Sequence, residues 1–211
     1  MSAVEIILRP VPEGDKALFT HVPVEELVKR IFLTLAVVTV LCFAVAITLG
    51  LSIGDASSLS PQTQTGISTH MLVGMGTLSF AMLVHAITLT YFMGTGRWIE
   101  ETSNAYSLDE SFYTRNQRIK YGVVWGMTLC FVLLITTGAL GALADPATPM
   151  SLDGTLGLKG SQFHFFTAIT TIIVNLLTYF SEFIAISKNT TIVESVLAEV
   201  RRIRTERGLP T

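Results

Sequence analysis

Residues 31–53 read IFLTLAVVTVLCFAVAITLGLSI, an unbroken apolar run with no charged side chain. A helix rising about 1.5 Å per residue needs roughly 20 such residues to cross a hydrocarbon core of about 30 Å, so this stretch is a membrane span. Three more runs follow at 66–93, 121–144 and 163–186, the last interrupted by a single acid, Glu182. The ~10-residue alternating segments of a transmembrane barrel are absent from the sequence. A composition that is 50% hydrophobic and only 14% charged fits the same class.

Positive charge falls in alternate gaps between these runs. Arg9, Lys16, Lys29 and Arg30 precede the first; Arg97, Arg115, Arg118 and Lys120 separate the second from the third; Lys188, Arg201, Arg202, Arg204 and Arg207 follow the fourth. Lys159 alone lies on the other side. Cytoplasmic loops retain Lys and Arg, so the pattern predicts a multi-pass protein of the plasma (inner) membrane with both termini cytoplasmic. The outer connections are short, 54–65 and 145–160, which predicts antiparallel neighbours. The expected fold is all-α, an up-down-up-down four-helix bundle with a C-terminal cytoplasmic amphipathic helix.

Three segments follow: a cytoplasmic N-terminal segment 1–30, a four-helix membrane domain 31–187, and a cytoplasmic tail 188–211. Glu5, Glu13, Asp15, Glu25 and Glu26 among the first thirty residues do not suit a cleaved signal peptide. Ser107 with Glu110 and Thr191 with Glu194 have capping-box spacing, predicting helix starts in the inner loop and in the tail. Val193, Val196, Leu197, Val200 and Ile203 recur at helical spacing and would dock a partner, rest on lipid, or fold back on the inner loop. The Asn189-Thr190-Thr191 triplet matches a glycosylation acceptor but is expected on the cytoplasmic side. Cys42 and Cys130 fall within spans and read as packing residues. Nothing suggests nucleic-acid binding; the implied partners are the bilayer, other membrane subunits, or further copies of the chain.

Chemistry concentrates on spans two and four. His70 and His164 lie at similar depth, each near the outer end of its span, on helices expected to be diagonal in the bundle. His164, Thr167, Thr171, Asn175, Thr178 and Glu182 repeat at spacings of three and four, forming one polar stripe. His70, Gly74, Thr77, Ala81, His85 and Thr88 make a comparable stripe on span two, with His85 about 22 Å deeper than His70. Opposite His85 should come the part of span four near Glu182. An acid at the centre of a span costs about 3 kcal/mol, although Glu182 is close enough to the inner boundary to snorkel toward Lys188. His85, Thr171, Asn175 and Glu182 are the candidate polar pathway.

Histidines on diagonal helices, two of them on one helix, resemble the b-type cytochrome membrane subunits of respiratory complexes. That resemblance implies His70 and His164 as axial ligands to the iron of a haem b, with Gly74 and Gly76 leaving room for the macrocycle, in a non-catalytic electron-transfer subunit of an oxidoreductase. Thr178 and Tyr179 stand where a second haem needs another histidine. The stretches 85–100 and 199–204 also look like an uncharacterised family of bacterial four-helix integral membrane proteins, which implies the topology and no chemistry. Two other functions fit the sequence: an accessory or assembly subunit without cofactor, and an ion or proton channel or transporter using the polar stripes.

Overall fold

The computed structural model describes residues 24–58 and 60–210. Most of the N-terminal segment expected over 1–30 lies outside the described residues. Among them the regular structure is entirely helical: α1 (Val24–Ser52), α2 (Pro61–Tyr106), α3 (Ser111–Leu143), a short 3₁₀ turn (Thr155–Gly157) and α4 (Gly160–Glu206). All four α-helices are long and apolar enough to cross a membrane.

Local chemistry sets the helix ends. The Ser60 hydroxyl accepts from the Thr63 N–H at 3.2 Å and Pro61 follows at the first helical position, a strong start for α2. Gln162 Oε1 accepts from the Lys159 N–H at 2.9 Å to begin α4. Ser107 behaves differently from expectation. It adopts left-handed φ of 54° and terminates α2, while its neighbour Leu108 donates back to Ser103 O. The start of α3 is secured instead by Asp109, whose carboxylate accepts from the Ser111 N–H at 2.7 Å. The Ser111 hydroxyl and N–H together hold the Asp109 carboxyl below its ordinary range.

Thr191 starts no helix either. It sits inside α4, its hydroxyl turned back to Ser187 O, because no glycine or proline interrupts the chain between the span and Glu206. Span four and the expected tail helix are thus one continuous rod. At 46 and 47 residues, α2 and α4 extend to about 70 Å, more than twice the hydrocarbon thickness, so both project well past it. The projecting parts pack on one another and on the start of α3: Ile99, Ile192 and Val196 are buried, with Phe112, Tyr113, Val193 and Val200 packed around them. The apolar stripe of the tail is therefore covered by its own chain.

α2 packs along α1 and α3, α4 packs along α3, and both α1 and α2 also touch α4; α1 and α3 share no contact among the described residues. The bundle core holds Phe32, Ala36, Val84, Phe92, Met127, Tyr179 and Ile186. Its outside is apolar too, with Trp125 79% and Phe180 68% exposed, the inverse of a water-facing surface.

Candidate functional site

The two α2–α4 histidine levels are held in different ways. At one end of the bundle the rings of His70 and His164 meet, with centroids 5.9 Å apart and planes at 72°. His70 Nδ1–H donates to Ala46 O on α1 at 3.0 Å, and His164 Nδ1–H donates to Thr137 O on α3 at 3.2 Å. A carbonyl only accepts, so each neutral ring has its proton on Nδ1 and its lone pair on Nε2. Each ring also lies against a glycine. A Cβ at Gly50 would meet His70 Cε1 at 2.9 Å, and one at Gly141 would meet His164 Cε1 at 3.1 Å. Gly74 and Gly76 face open space instead: a Cβ at either would touch nothing within 4 Å.

The two histidine contacts are built alike. Ala46, Gly50, His70 and Thr77 correspond to Thr137, Gly141, His164 and Thr171. Thr77 Oγ1 approaches Cys42 O at 3.5 Å as Thr171 Oγ1 approaches Leu133 O at 3.4 Å. The same correspondence pairs buried Phe32, Ala36, Thr39 and Phe43 of α1 with buried Val123, Met127, Cys130 and Leu134 of α3. It pairs His85 with Tyr179, Ala81 with Asn175 and Thr88 with Glu182. The two helix pairs thus carry similar contacts at this end of the bundle and different residues at mid-bundle.

At mid-bundle His85 is fully buried and both its nitrogens are engaged. Nε2–H donates to Asn175 Oδ1 at 2.9 Å, an orientation fixed because Asn175 Nδ2 donates to Thr171 O at 2.7 Å. Nδ1 lies 2.7 Å from Glu182 Oε1. Since Nε2 already carries a proton, one further proton occupies the Nδ1–Oε1 contact, on imidazole or on carboxyl. The pair is neutral overall in either arrangement, which removes the Born cost of an isolated buried charge. Glu182 is fully buried and does not snorkel toward Lys188; its Oε2 has no partner among the described residues. Tyr179 stacks on the His85 ring at 4.9 Å and closes its face.

The two levels are joined through Thr137 and Thr171. Their hydroxyls are 2.7 Å apart, Thr137 O holds His164, and Thr171 O holds Asn175. The polar groups from His164 to Glu182 are consequently linked residue by residue. Beyond Glu182 an apolar layer intervenes, with Phe92 and Ile186 both essentially inaccessible. A second polar cluster lies past it. Asn116 Nδ2 donates to Asn189 Oδ1 at 2.6 Å, and Asn189 Nδ2 donates to Thr95 Oγ1 at 2.9 Å and Tyr91 Oη at 3.2 Å. Asn189 is thus a buried network residue and physically unavailable to a glycan. Asn116 also packs on Gly96, which lines an open pocket of about 530 Å³ with Gln117 and Asn104.

The structure brings together all four residues of the candidate pathway, His85, Thr171, Asn175 and Glu182, and both histidines of the candidate ligand pair. Sequence reasoning missed Gly50, Gly141, Thr137 and the Asn116–Asn189 pair. An Asn within an apolar helical face was the available signal for Asn189; the glycines carry none without their partner helices. No family model matches the chain, and neither a curated protein nor a solved structure matches it.

Proposed function

We propose that the chain is an up-down-up-down multi-pass protein of the plasma membrane, both termini cytoplasmic, that moves protons along the polar track between α2 and α4. The carrying observation is the His85–Glu182 contact at 2.7 Å, buried from solvent yet linked to the half-buried His164 at the bundle end. Intramembrane ionisable groups that face protein and connect to a surface mark proton relays. His70 and His164 take up a proton on Nε2 at the outer end. The contacts at Thr137 O, Thr171 O and Asn175 are to carbonyl and amide groups and hand no proton on, so water admitted along this polar face carries it to the His85–Glu182 pair, where Glu182 Oε2 is the open acceptor. Phe92 and Ile186 close the track toward the Asn116 cluster, so net passage needs this layer to open.

The test is proton flux into liposomes holding the purified chain, followed with an entrapped pH dye. Glu182→Gln keeps the volume and a hydrogen bond but loses the acid, and flux should fall about a hundredfold, the scale on which a positioned proton acceptor acts. Equal flux in the two proteins refutes the relay. Orientation is read separately: a cysteine at exposed Thr155 should react with an impermeant thiol reagent outside intact cells, and one at exposed Thr205 should not.

The His70/His164 pair supports a second function, a haem b electron-transfer subunit. The two rings stand 5.9 Å apart, centroid to centroid, and with each Nδ1 proton on a backbone carbonyl both Nε2 lone pairs are left for a metal. These two side chains would hold such a group, which would supply one-electron transfer. His85, engaged at both nitrogens and covered by Tyr179, would hold none. An absorbance spectrum of the purified protein decides: a Soret band lost in His70→Ala and His164→Ala selects haem, and a colourless active protein discards it.

A further inference from the structure

We infer that the groove between α3 and α4 beyond the apolar region binds the headgroup phosphate of an anionic phospholipid. A pocket of about 360 Å³ there is lined by Arg115, Arg118 and Lys188, with Thr191 and Ser195 beside them and Ile119 and Ile192 among its apolar lining. No acidic residue lines it, and none of the three cations forms an ion pair among the described residues. Asp109, whose carboxylate senses Arg115, is bonded to the Ser111 N–H at 2.7 Å and makes no ion pair with it. Three cations lining one pocket, of which Asp109 touches only Arg115 electrostatically, repel one another, and a bound phosphate oxyanion relieves that repulsion.

Phosphate could come from a lipid or from solution, and the flanking surfaces favour lipid. On α4 the exposed residues Ile173, Leu177, Phe180 and Ile184 form a stripe whose helical continuation is Lys188, Thr191 and Ser195 of the pocket. On α3, exposed Trp125, Leu129 and Val132 continue the face that carries Arg118. Two apolar stripes thus run along the spans and end at the same basic pocket. Acyl chains on the stripes and a phosphate among the cations match that pattern, whereas inorganic phosphate would use only the pocket.

Native mass spectrometry of the full chain, titrated with phosphatidylglycerol or phosphatidylcholine, tests this. Phosphatidylglycerol should bind at least about tenfold more tightly, and the variant Arg115→Gln/Arg118→Gln/Lys188→Gln should lose about fivefold per cation, roughly a hundredfold in all. Millimolar inorganic phosphate should not displace the lipid. Equal binding of the two lipids, unchanged binding by the variant, or displacement by inorganic phosphate overturns the inference. Should the variant fail to fold, the unaltered site is read in the Trp98→Phe background. Quenching of Trp125 by brominated phosphatidylglycerol should saturate at low mole fraction, and quenching no stronger than by brominated phosphatidylcholine also overturns it.

Discussion

His85 and Glu182 stand 97 residues apart in the chain and 2.7 Å apart in the bundle, with no solvent exposure on either side chain. Each residue alone would be a costly guest among apolar helices; together, with Asn175 on the far nitrogen, they form a neutral, nearly satisfied unit. Removing one member strands the other. Glu182→Ala leaves His85 Nδ1 without its partner and should destabilise the fold by about 3–5 kcal/mol, whereas Glu182→Gln should cost markedly less. Thermal unfolding in mild detergent checks the order, and equal losses would mean the contact does not hold the bundle.

The threonine bridge should matter for passage far more than for folding. Thr137→Val and Thr171→Val each remove a hydroxyl from the 2.7 Å contact while nearly preserving volume, so each should cost only about 1 kcal/mol. Both hydroxyls also line the polar face between His164 and Asn175, and the double variant should show greatly reduced proton flux in liposomes. Flux at the unaltered level would show that protons enter by another route.

Much of this architecture was legible because membrane helices announce themselves through length and missing charge, and residues 31–53 alone sufficed for the first. The polar stripe was legible too, since a spacing of three and four puts Thr171, Asn175 and Glu182 on one side of any α-helix. Helix ends misled: Ser107 and Thr191 carry capping-box spacing, yet such a box works only where the chain leaves helical geometry, and local sequence did not reveal that Ser107 closes one helix and Thr191 sits within another. The glycines that meet the histidine rings were hidden for a related reason. Gly50 and Gly141 function through a ring from another helix, and only three-dimensional neighbours distinguish them from Gly74 and Gly76.

The close approach at those glycines gives a sharp test of this packing. A methyl group at Gly50 would press on the His70 ring at 2.9 Å, and one at Gly141 on the His164 ring at 3.1 Å. Gly50→Ala and Gly141→Ala should each destabilise, by about 1–3 kcal/mol for overpacking, and His70→Ala or His164→Ala should relieve its own partner and not the other. A double-mutant cycle on thermal stability checks both halves. Cross-relief, or none, would contradict the matched packing.

Asp109 provides a pH-dependent feature at the start of α3. Its carboxyl is held below the ordinary 3.8 by the Ser111 hydroxyl and N–H. A depressed folded-state value contributes stability that is present above the unfolded value and disappears as pH falls through the folded one. The first turn of α3 should therefore be insensitive to pH near neutrality and loosen only in acid below the usual carboxylate range. Hydrogen exchange at the Ser111 amide measures it, and Asp109→Asn should flatten the profile.

The tail end of α4 should prove structural. From sequence alone, its apolar stripe was equally suited to gripping a partner, resting on lipid or folding back; in the bundle Val196 is completely buried against Ile99 and Ile192, with Val200 beside them. A carboxylate placed there has no counter-charge among the residues of that cluster and must be desolvated or expel the helix. Val196→Asp should thus cost more than about 3 kcal/mol and release the projecting ends of α2 and α4, while the polar exchange Arg201→Gln on the exposed face should change stability by less than about 0.5 kcal/mol. Limited proteolysis between residues 97 and 115 separates the outcomes. Rapid cleavage in the Val196 variant with protection in the Arg201 variant is expected, and equal protection of both would mean that the stripe is free to serve a partner after all.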